Sequence, residues 1–343
     1  MDFIRVAHKE DKEGNKTFYP SLQALDSTDL VIRGGKFVAI WDEDTGLYSR
    51  RLSFVPDIID RSFAKMVGDR IRAGDTIRKV RVFDNQIYSR LMGLIRNIGD
   101  MGPELDQRIV FANEAPEKGF AATFRMPYSL SDAGCPTWDE IVSTLYAPEE
   151  RLKIEWAIGS ILTGASVNDI QKFYVFFGPP GSGKSTVLDI IEMLFGGHTS
   201  QFDALELGRR DSGFPLEPFQ NNPLVAIDQD ADLSHVETNQ LLNKLIAHDR
   251  VNINSKGKSL YEIKPRSTLF VGTNNPVKIT DKKSGLYRRL VDIQPSGNLI
   301  PEEHYHKLMN QVRFELGAIA SHCIKVFEEL GRTYLTTYRA TDM

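Results

Sequence analysis

The sequence predicts an α/β fold, with a C-terminal core on a central, largely parallel sheet, preceded by a smaller α+β N-terminal region and a helical collar. Three observations carry that prediction. From residue 172 the pattern runs strand, glycine loop, helix, strand, helix, hairpin, strand, the alternation that a helix-covered parallel sheet produces. Within it stands a strand–loop–helix unit with the spacing G-x-x-x-x-G-K-S. The composition is that of a folded chain, 41% apolar and 26% charged over 343 residues, long enough for two or three domains.

The same composition excludes several classes. Disorder, collagen-like repeats and a disulfide scaffold do not fit it. With 42 Lys+Arg against 46 Asp+Glu the net charge is −4, which argues against coating nucleic acid through bulk positive charge. The two cysteines, Cys135 and Cys323, cannot build a four-ligand zinc site and read as buried free thiols. No apolar run approaches the ~20 residues of a membrane-spanning helix. The first residues lack the apolar stretch of a secretion signal. The expectation is a reduced, soluble, cytoplasmic protein with no membrane partner.

Residues 1–20 are polar and predict a loop or frayed arm. Val31, Phe37, Ala39, Trp41 and Tyr48 fit short strands around an acidic, glycine-ended turn at 42–46. Ile58, Phe63, Met66, Val67 and Ile71 recur at helical spacing over 57–73, with Asp57 as candidate N-cap, and a second helix is expected near 84–98. From residue 61 to 96 there are nine basic residues against three acids, either a phosphate-contacting face or a solvated helix face paired with acids elsewhere. Residues 113–137, with Pro116, Gly119, Pro127, Gly134 and Pro136, read as an irregular connector. Helices follow at Trp138–Leu145 and near 148–163, the latter opening on Pro148-Glu149-Glu150 as a helix N-terminus should. A single long helix is expected over 302–330. The predicted divisions are 1–110, 111–165, 166–300 and 301–343. The first is a possible DNA-contacting or oligomerisation collar.

The phosphate loop is the strongest signal. The apolar run Phe173 to Phe177 feeds Gly178-Pro179-Pro180-Gly181-Ser182-Gly183-Lys184-Ser185-Thr186 and then an apolar helix. Glycines let backbone N–H groups curl round a phosphate where a Cβ would intrude, and the helix starting near Lys184 aims its dipole at the anion. Lys184 suits the β- and γ-phosphate oxygens, and Ser185 suits Mg²⁺. The chemistry implied is binding of a nucleoside triphosphate, with ATP and Mg²⁺ as expected cofactors.

The remaining candidates stand at strand ends. The run 223–227 ends in Asp228-Gln229-Asp230. Asp228 directly follows the strand and suits the Mg²⁺ shell, while Asp230 is a candidate general base. The strand 267–272 ends in Thr273-Asn274-Asn275, where Asn274 can position water beside a γ-phosphate; a plain turn before Pro276 is the competing reading. Arg288 and Arg289 enter a short apolar strand, either as a finger for a neighbour's nucleotide or as structural ion pairs. Between those strands Val251 and Ile253 alternate against Tyr261 and Ile263 around Gly257, a hairpin with Lys256 and Lys258 at its tip. A cationic tip suits a nucleic-acid backbone and reads no base sequence.

With these elements in this order, residues from about 148 to 295 resemble a superfamily 3 helicase of the AAA+ class, nearest the C-terminal domains of phage, plasmid and poxvirus primase–helicases. The resemblance rests on GPPGSGKST, LVAIDQD, DRVNINSKGKS, TLFVGTNN and GLYRRLVDI, with a similar helical lead-in, CPTWDEIVSTLY…WAIGSILTG. It implies that Lys184 and Ser185 serve phosphate and Mg²⁺, Asp228 the first Walker B acid, and Asn274 the polar end of the third motif. It also implies that Arg288, or less directly Arg289, acts in trans and that Lys256 or Lys258 grips DNA. Family members form hexamers that translocate on single-stranded DNA. The resemblance therefore implies a P-loop ATPase and DNA helicase for replication of a phage or mobile element. Its partners would be single-stranded or forked DNA, further copies of itself, and a separate primase or replication initiator. The family's acids are often adjacent, whereas here Gln229 intervenes. No zinc-ligand set or primase acid constellation is found in the first 130 residues, and no C-terminal DNA-binding module is expected after the last helix. Two other classes are open: a non-unwinding AAA+ initiator or loader, and a P-loop nucleotide kinase.

Overall fold

The computed structural model describes residues 1–23, 25–80, 85–115, 117–165, 170–209, 213–233, 238–253, 261–277 and 285–340. The chain divides into two compact units, one of residues 1–110 with 114–125 and one of residues 111–113 with 126–343.

The first unit is α+β. Strands β1 (Ile4–Glu10) and β2 (Lys16–Leu22) form an antiparallel hairpin in the register Ile4↔Leu22. A meander follows, β3 (Leu30–Arg33), β4 (Lys36–Asp42) and β5 (Leu47–Ser49). Helix α1 (Val55–Arg72) leads to β6 (Ile77–Val80), which pairs parallel to β2, and then to α2 (Asn85–Arg96). Ile4, Leu30, Ile40, Ile58, Ile59 and Leu91 share one buried cluster. The hairpin replaces the loop expected over residues 1–20. It buries Phe3, Ile4 and Phe18 while most of β1 stays exposed, so its sequence is too polar to read as a strand. Asp57 is not the N-cap of α1. The helix begins two residues earlier at Val55 with Phe54 as N-cap, and Pro56 in the first turn pre-sets its dihedral. Asp57 falls in that first turn, where its charge still suits the dipole.

Much of the basic 61–96 stretch is neutralised within this unit. Arg61 pairs with Asp44 and with Asp42 (3.1 Å), Lys65 with Glu43 (3.2 Å), Arg70 with Asp75 (3.8 Å), and Arg72 with Asp69. For these four the solvated, acid-paired face is what the geometry favours.

The second unit opens with α3 (Pro136–Leu145) and α4 (Pro148–Leu162). Its sheet holds β7 (Phe173–Phe177), β8 (Thr199–Gln201), β9 (Val225–Asp228), β12 (Thr268–Thr273) and β13 (Leu290–Ile293). The spatial order is β13-β7-β12-β9-β8, every pairing parallel. Phe173 to Phe176 are all fully buried, as a strand covered on both faces requires. Helices α5 (Lys184–Leu194) and α6 (Ala204–Leu207) connect the first three of those strands in chain order. Helix α7 (Gln240–Ile246) and the two-stranded ribbon β10 (Val251–Ile253) and β11 (Tyr261–Ile263) lie between β9 and β12 in sequence.

The predicted helix over 302–330 is two helices, α8 (Glu302–Gln311) and α9 (Leu316–Leu330), separated by a 3₁₀ turn at Val312–Phe314. The break places Glu315 against the start of α3. Its carboxylate accepts the N–H groups of Thr137 (3.0 Å) and Trp138 (3.2 Å), capping a helix whose own N-cap, Cys135, supplies no side-chain bond. Among the described residues no helix is long and apolar enough to cross a membrane.

Candidate functional site

The loop between β7 and α5 sits at the C-terminal end of the sheet. Gly181 and Gly183 have positive φ (76° and 92°), and a Cβ on Gly183 would lie 2.7 Å from Leu145 Cδ1, so neither the backbone nor the space at 183 admits a side chain. The Ser182 hydroxyl is buried without a hydrogen-bond partner, while Ser185, in the first turn of α5, is exposed. Thr186 is buried behind them.

Lys184 is only 6% exposed. Its Nζ donates to Gly178 O (2.8 Å), Pro179 O (2.9 Å) and Asn274 Oδ1 (2.9 Å). Burial lowers its pKa, offset in part by the charge of Asp230. Asn274 Nδ2 in turn donates to Asp230 Oδ1 (3.2 Å). This chain of three residues exists because β12 lies between β7 and β9. It carries Asn274 past the end of the sheet with the phosphate loop on one side and Asp228-Gln229-Asp230 on the other. Gly272 makes the crossing possible. Ala231 N–H donates to Gly272 O (2.8 Å), and a Cβ there would lie 2.6 Å from Gln229 O.

Asp228 ends β9 half-buried. Its Oδ2 accepts the backbone N–H of Ala204 (2.8 Å), the first residue of α6. Burial raises its pKa, and Asp203 and Asp230 add repulsion. Gln229 points away to donate to Asp189 Oδ1 (2.7 Å) on α5, which leaves Asp230 on the Asn274 side. Sequence reasoning did not find Asp203, whose N-cap role gave no sign of its nearness to Asp228.

The fit of a divalent ion rests on that carboxylate. Asp228 is a hard oxygen donor destabilised by two acids, with no cationic partner among the described residues, and Ser185 offers an exposed hydroxyl oxygen. Among the described residues no set of three His, Cys, Asp or Glu side chains could hold a metal unaided. An ion bound here would complete its shell with water and phosphate oxygens, the habit of Mg²⁺.

A cleft of about 280 Å³ opens beside the loop, lined on one side by residues 181–186 and on the other by Leu145, Leu299, Ile300 and Tyr305. Leu299 is 65% exposed. The four apolar and aromatic residues flank the core in sequence, and nothing in their local pattern signals the cleft.

The two arginines lie elsewhere. β13 runs parallel to β7 in the register Leu290↔Phe173, so Arg288 and Arg289 stand level with Gln171 and Lys172 at the N-terminal end of the strands, opposite the loop. Six to seven residue steps along β7 separate them from Gly178, about 20–23 Å at 3.3 Å per residue. Arg289 is tied down, with guanidinium bonds to Asn243 Oδ1 (2.7 Å) and Gln171 Oε1 (3.2 Å). Arg288 is exposed, and its guanidinium makes no ion pair among the described residues. The arms of the expected hairpin pair as β10 and β11 in the register Val251↔Ile263. Lys256 and Lys258 lie outside the described residues.

Comparison with known proteins gives one family and several structures. A family of unknown function, DUF5906, matches residues 176–289, from within β7 to Arg289. Two apo structures of the NrS-1 C-terminal region are similar to this chain. One has 16% identity and a TM-score of 0.48 over 82% of this chain and 66% of its own length. The other, an A form, has 18% identity and a TM-score of 0.47 over 62% and 56%. This chain thus spans less than two thirds of the length of the structures it matches.

Proposed function

We propose that this protein is an ATP-dependent DNA helicase or translocase that works as a homo-oligomeric ring, hexameric by the family resemblance, in replication of a phage or mobile element. The observation that carries the reading is the Lys184–Asn274–Asp230 chain at the end of a sheet in which β12 separates the phosphate-loop strand from the strand of Asp228. A loop with mobile lysine, a carboxylate one strand further on and an amide between them is an arrangement for cleaving a γ-phosphate with water.

The site's geometry supports a role for each residue. Backbone N–H groups of Gly178 and of residues 181–186 cradle the phosphates, and Lys184 exchanges its carbonyl partners for phosphate oxygens. Ser185 and Asp228 would hold Mg²⁺, which when bound would neutralise charge on the phosphates. Asn274 orients water, and Asp230, exposed and within reach of it, accepts the proton. The base rests in the cleft against Leu145, Leu299, Ile300 and Tyr305. Arg288 is too far from its own loop to serve it, which supports action on the nucleotide of an adjacent copy. Arg289, held by Asn243 and Gln171, braces that position. The β10–β11 ribbon would present Lys256 and Lys258 to the phosphate backbone of a DNA strand.

The test is strand displacement on a forked duplex with ATP and Mg²⁺, run with wild type and Lys184→Ala. Displacement by the wild type and its loss in the variant is the expected result. DNA-stimulated hydrolysis without displacement would sink the helicase reading in favour of an initiator or loader, and phosphoryl transfer to a nucleoside monophosphate would sink it in favour of a kinase.

A further inference from the structure

Lys172 is a buried amine that the mechanism above does not use. It is 5% exposed, sits just before β7, and has no carboxylate partner among the described residues. Its Nζ donates to two backbone carbonyls, Arg288 O (2.5 Å) and Tyr338 O (3.0 Å). Burial, with Arg339 and Arg288 nearby, brings its pKa down to about 8.

Tyr338 belongs to the segment 331–340 that follows α9. Trp156 Nε1 on α4 donates to Gly331 O (2.9 Å), and Leu335 is buried. Tyr338 Oη donates to Asp292 Oδ1 (2.5 Å) on β13. A second buried lysine, Lys153 on α4, donates to Tyr338 Oη (3.2 Å) and Asp292 O (2.9 Å) and stands 4.8 Å from the Tyr338 ring. The segment is thus strapped across the entry edge of β13 by two buried amines, and one of them grips the residue whose exposed guanidinium makes no ion pair among the described residues.

We propose that Lys172 is a positioning residue for Arg288, fixing its backbone by tying it to the C-terminal strap through Tyr338. This rests on the trans role of Arg288. The strap decides where the guanidinium points, because the residues on both sides of Arg288 are already committed. Arg289 O accepts the N–H of Phe173 (2.9 Å), and Gly285, with φ of +75°, lies under the Arg288 side chain. With Lys172 in place the Arg288 carbonyl cannot swing, and the side chain leaves the surface from a fixed origin. A finger misplaced by about 1 Å can cost on the order of 10²-fold in turnover.

The experiment compares Lys172→Met, Tyr338→Ala and Arg288→Ala for steady-state ATPase and fluorescent-nucleotide affinity, each alone and mixed with Lys184→Ala subunits. Tyr338→Ala leaves Lys172 intact and removes only the anchor of the strap, so it guards against a Lys172→Met that fails to fold. The expected result is a kcat at least tenfold lower for all three, with KM and nucleotide affinity within about twofold of wild type. Lys184→Ala subunits, which carry an intact finger, should restore activity on mixing. Wild-type kcat in Lys172→Met or Tyr338→Ala, or a loss that mixing does not restore while that of Arg288→Ala is restored, overturns the proposal. An Arg288→Ala variant with unchanged turnover overturns the trans reading itself, and the strap with it.

Discussion

Lys184 and Asn274 share a hydrogen bond of 2.9 Å from Nζ to Oδ1, joining the phosphate loop to a strand tip ninety positions along the chain. Three acceptors surround the amine, two of them carbonyls of the loop itself. Only the amide of Asn274 also touches Asp230. It therefore links the amine of the loop to the carboxylate that the proposed mechanism uses as its base.

Asn274→Ala should separate binding from hydrolysis. Lys184 keeps two carbonyl partners and the loop keeps its N–H groups, so nucleotide affinity should stay within about threefold, while turnover falls by about 10²-fold, the order of loss when a reacting group is misplaced by about 1 Å. Phosphate release measured against ATP concentration separates the two effects. An unchanged kcat would remove Asn274 from the chemistry.

Asp228→Asn should be more stable without nucleotide and inactive with it. Burial and the charges of Asp203 and Asp230 raise the pKa of Asp228, so its ionised form costs stability at neutral pH, and that cost grows as pH rises through the raised value. The amide keeps the shape and loses the repulsion, a trade between stability and activity expected of functional sites. Thermal melts should show an equal or higher Tm for the apo variant. Adding Mg²⁺ and ATP should raise the Tm of wild type by several degrees and that of the variant by much less. A lower apo Tm would mean that losing one of the two backbone N–H contacts, from Ala204 and Asp230, outweighs the relieved repulsion.

The core sheet was legible because parallel strands buried on both faces are continuous apolar runs, and because the phosphate loop, Asp228 and Asn274 each follow such a run directly. The β1–β2 hairpin was not, since Phe3, Ile4, Phe18 and Pro20 are its buried residues and most of β1 is exposed. The break before α9 was hidden for another reason. Glu315 looks like one more polar helix position until α3 is beside it. The cleft next to the phosphate loop depends on Leu145 and Tyr305, brought from separate helices, and no window of sequence contains both.

Gly272→Ala should act on hydrolysis from the far side of the strand. A methyl group there would lie 2.6 Å from Gln229 O and 3.1 Å from Leu188 Cδ1, so the loop carrying Asp230 must move. Overpacking of this kind costs about 1–3 kcal/mol. In a unit of this size that lowers Tm by about 2–4 °C per kcal/mol. Turnover should fall about tenfold or more, as Asp230 leaves Asn274, with nucleotide affinity retained. Fluorescent-nucleotide titration beside phosphate release checks both. Equal losses in affinity and turnover would mean that the whole loop has collapsed.

The pH dependence of stability should centre on Glu155, a fully buried carboxylate on α4 that contacts Trp138, Arg151 and His322. Its Oε1 accepts from Trp138 Nε1 (3.0 Å) and Arg151 Nε (2.8 Å), and His322 Nε2 on α9 stands 2.9 Å away, near enough to pair though off the hydrogen-bonding direction. Contact with Glu155 raises the pKa of His322, against the opposing effects of burial and of Arg151, with Asp139 adding to the rise. Burial pushes Glu155 up, and its contacts with His322, Trp138 and Arg151 bring it below the ordinary value. A raised histidine contributes stability that is complete below the ordinary 6.5 and is lost as pH rises through the folded value. A lowered carboxylate contributes stability that is complete above the ordinary 4.5 and is lost as pH falls through its folded value. Both contributions are present between those limits, so Tm should be highest there and decline as pH rises above 6.5 through the folded value of His322. His322→Gln should flatten the alkaline side by about 2 °C, a modest change because the imidazole is a third exposed and its pairing is screened. Melts of wild type and variant from about pH 5 to 9 decide it. Parallel curves would show that His322 does not titrate with folding and that Arg151 alone balances Glu155.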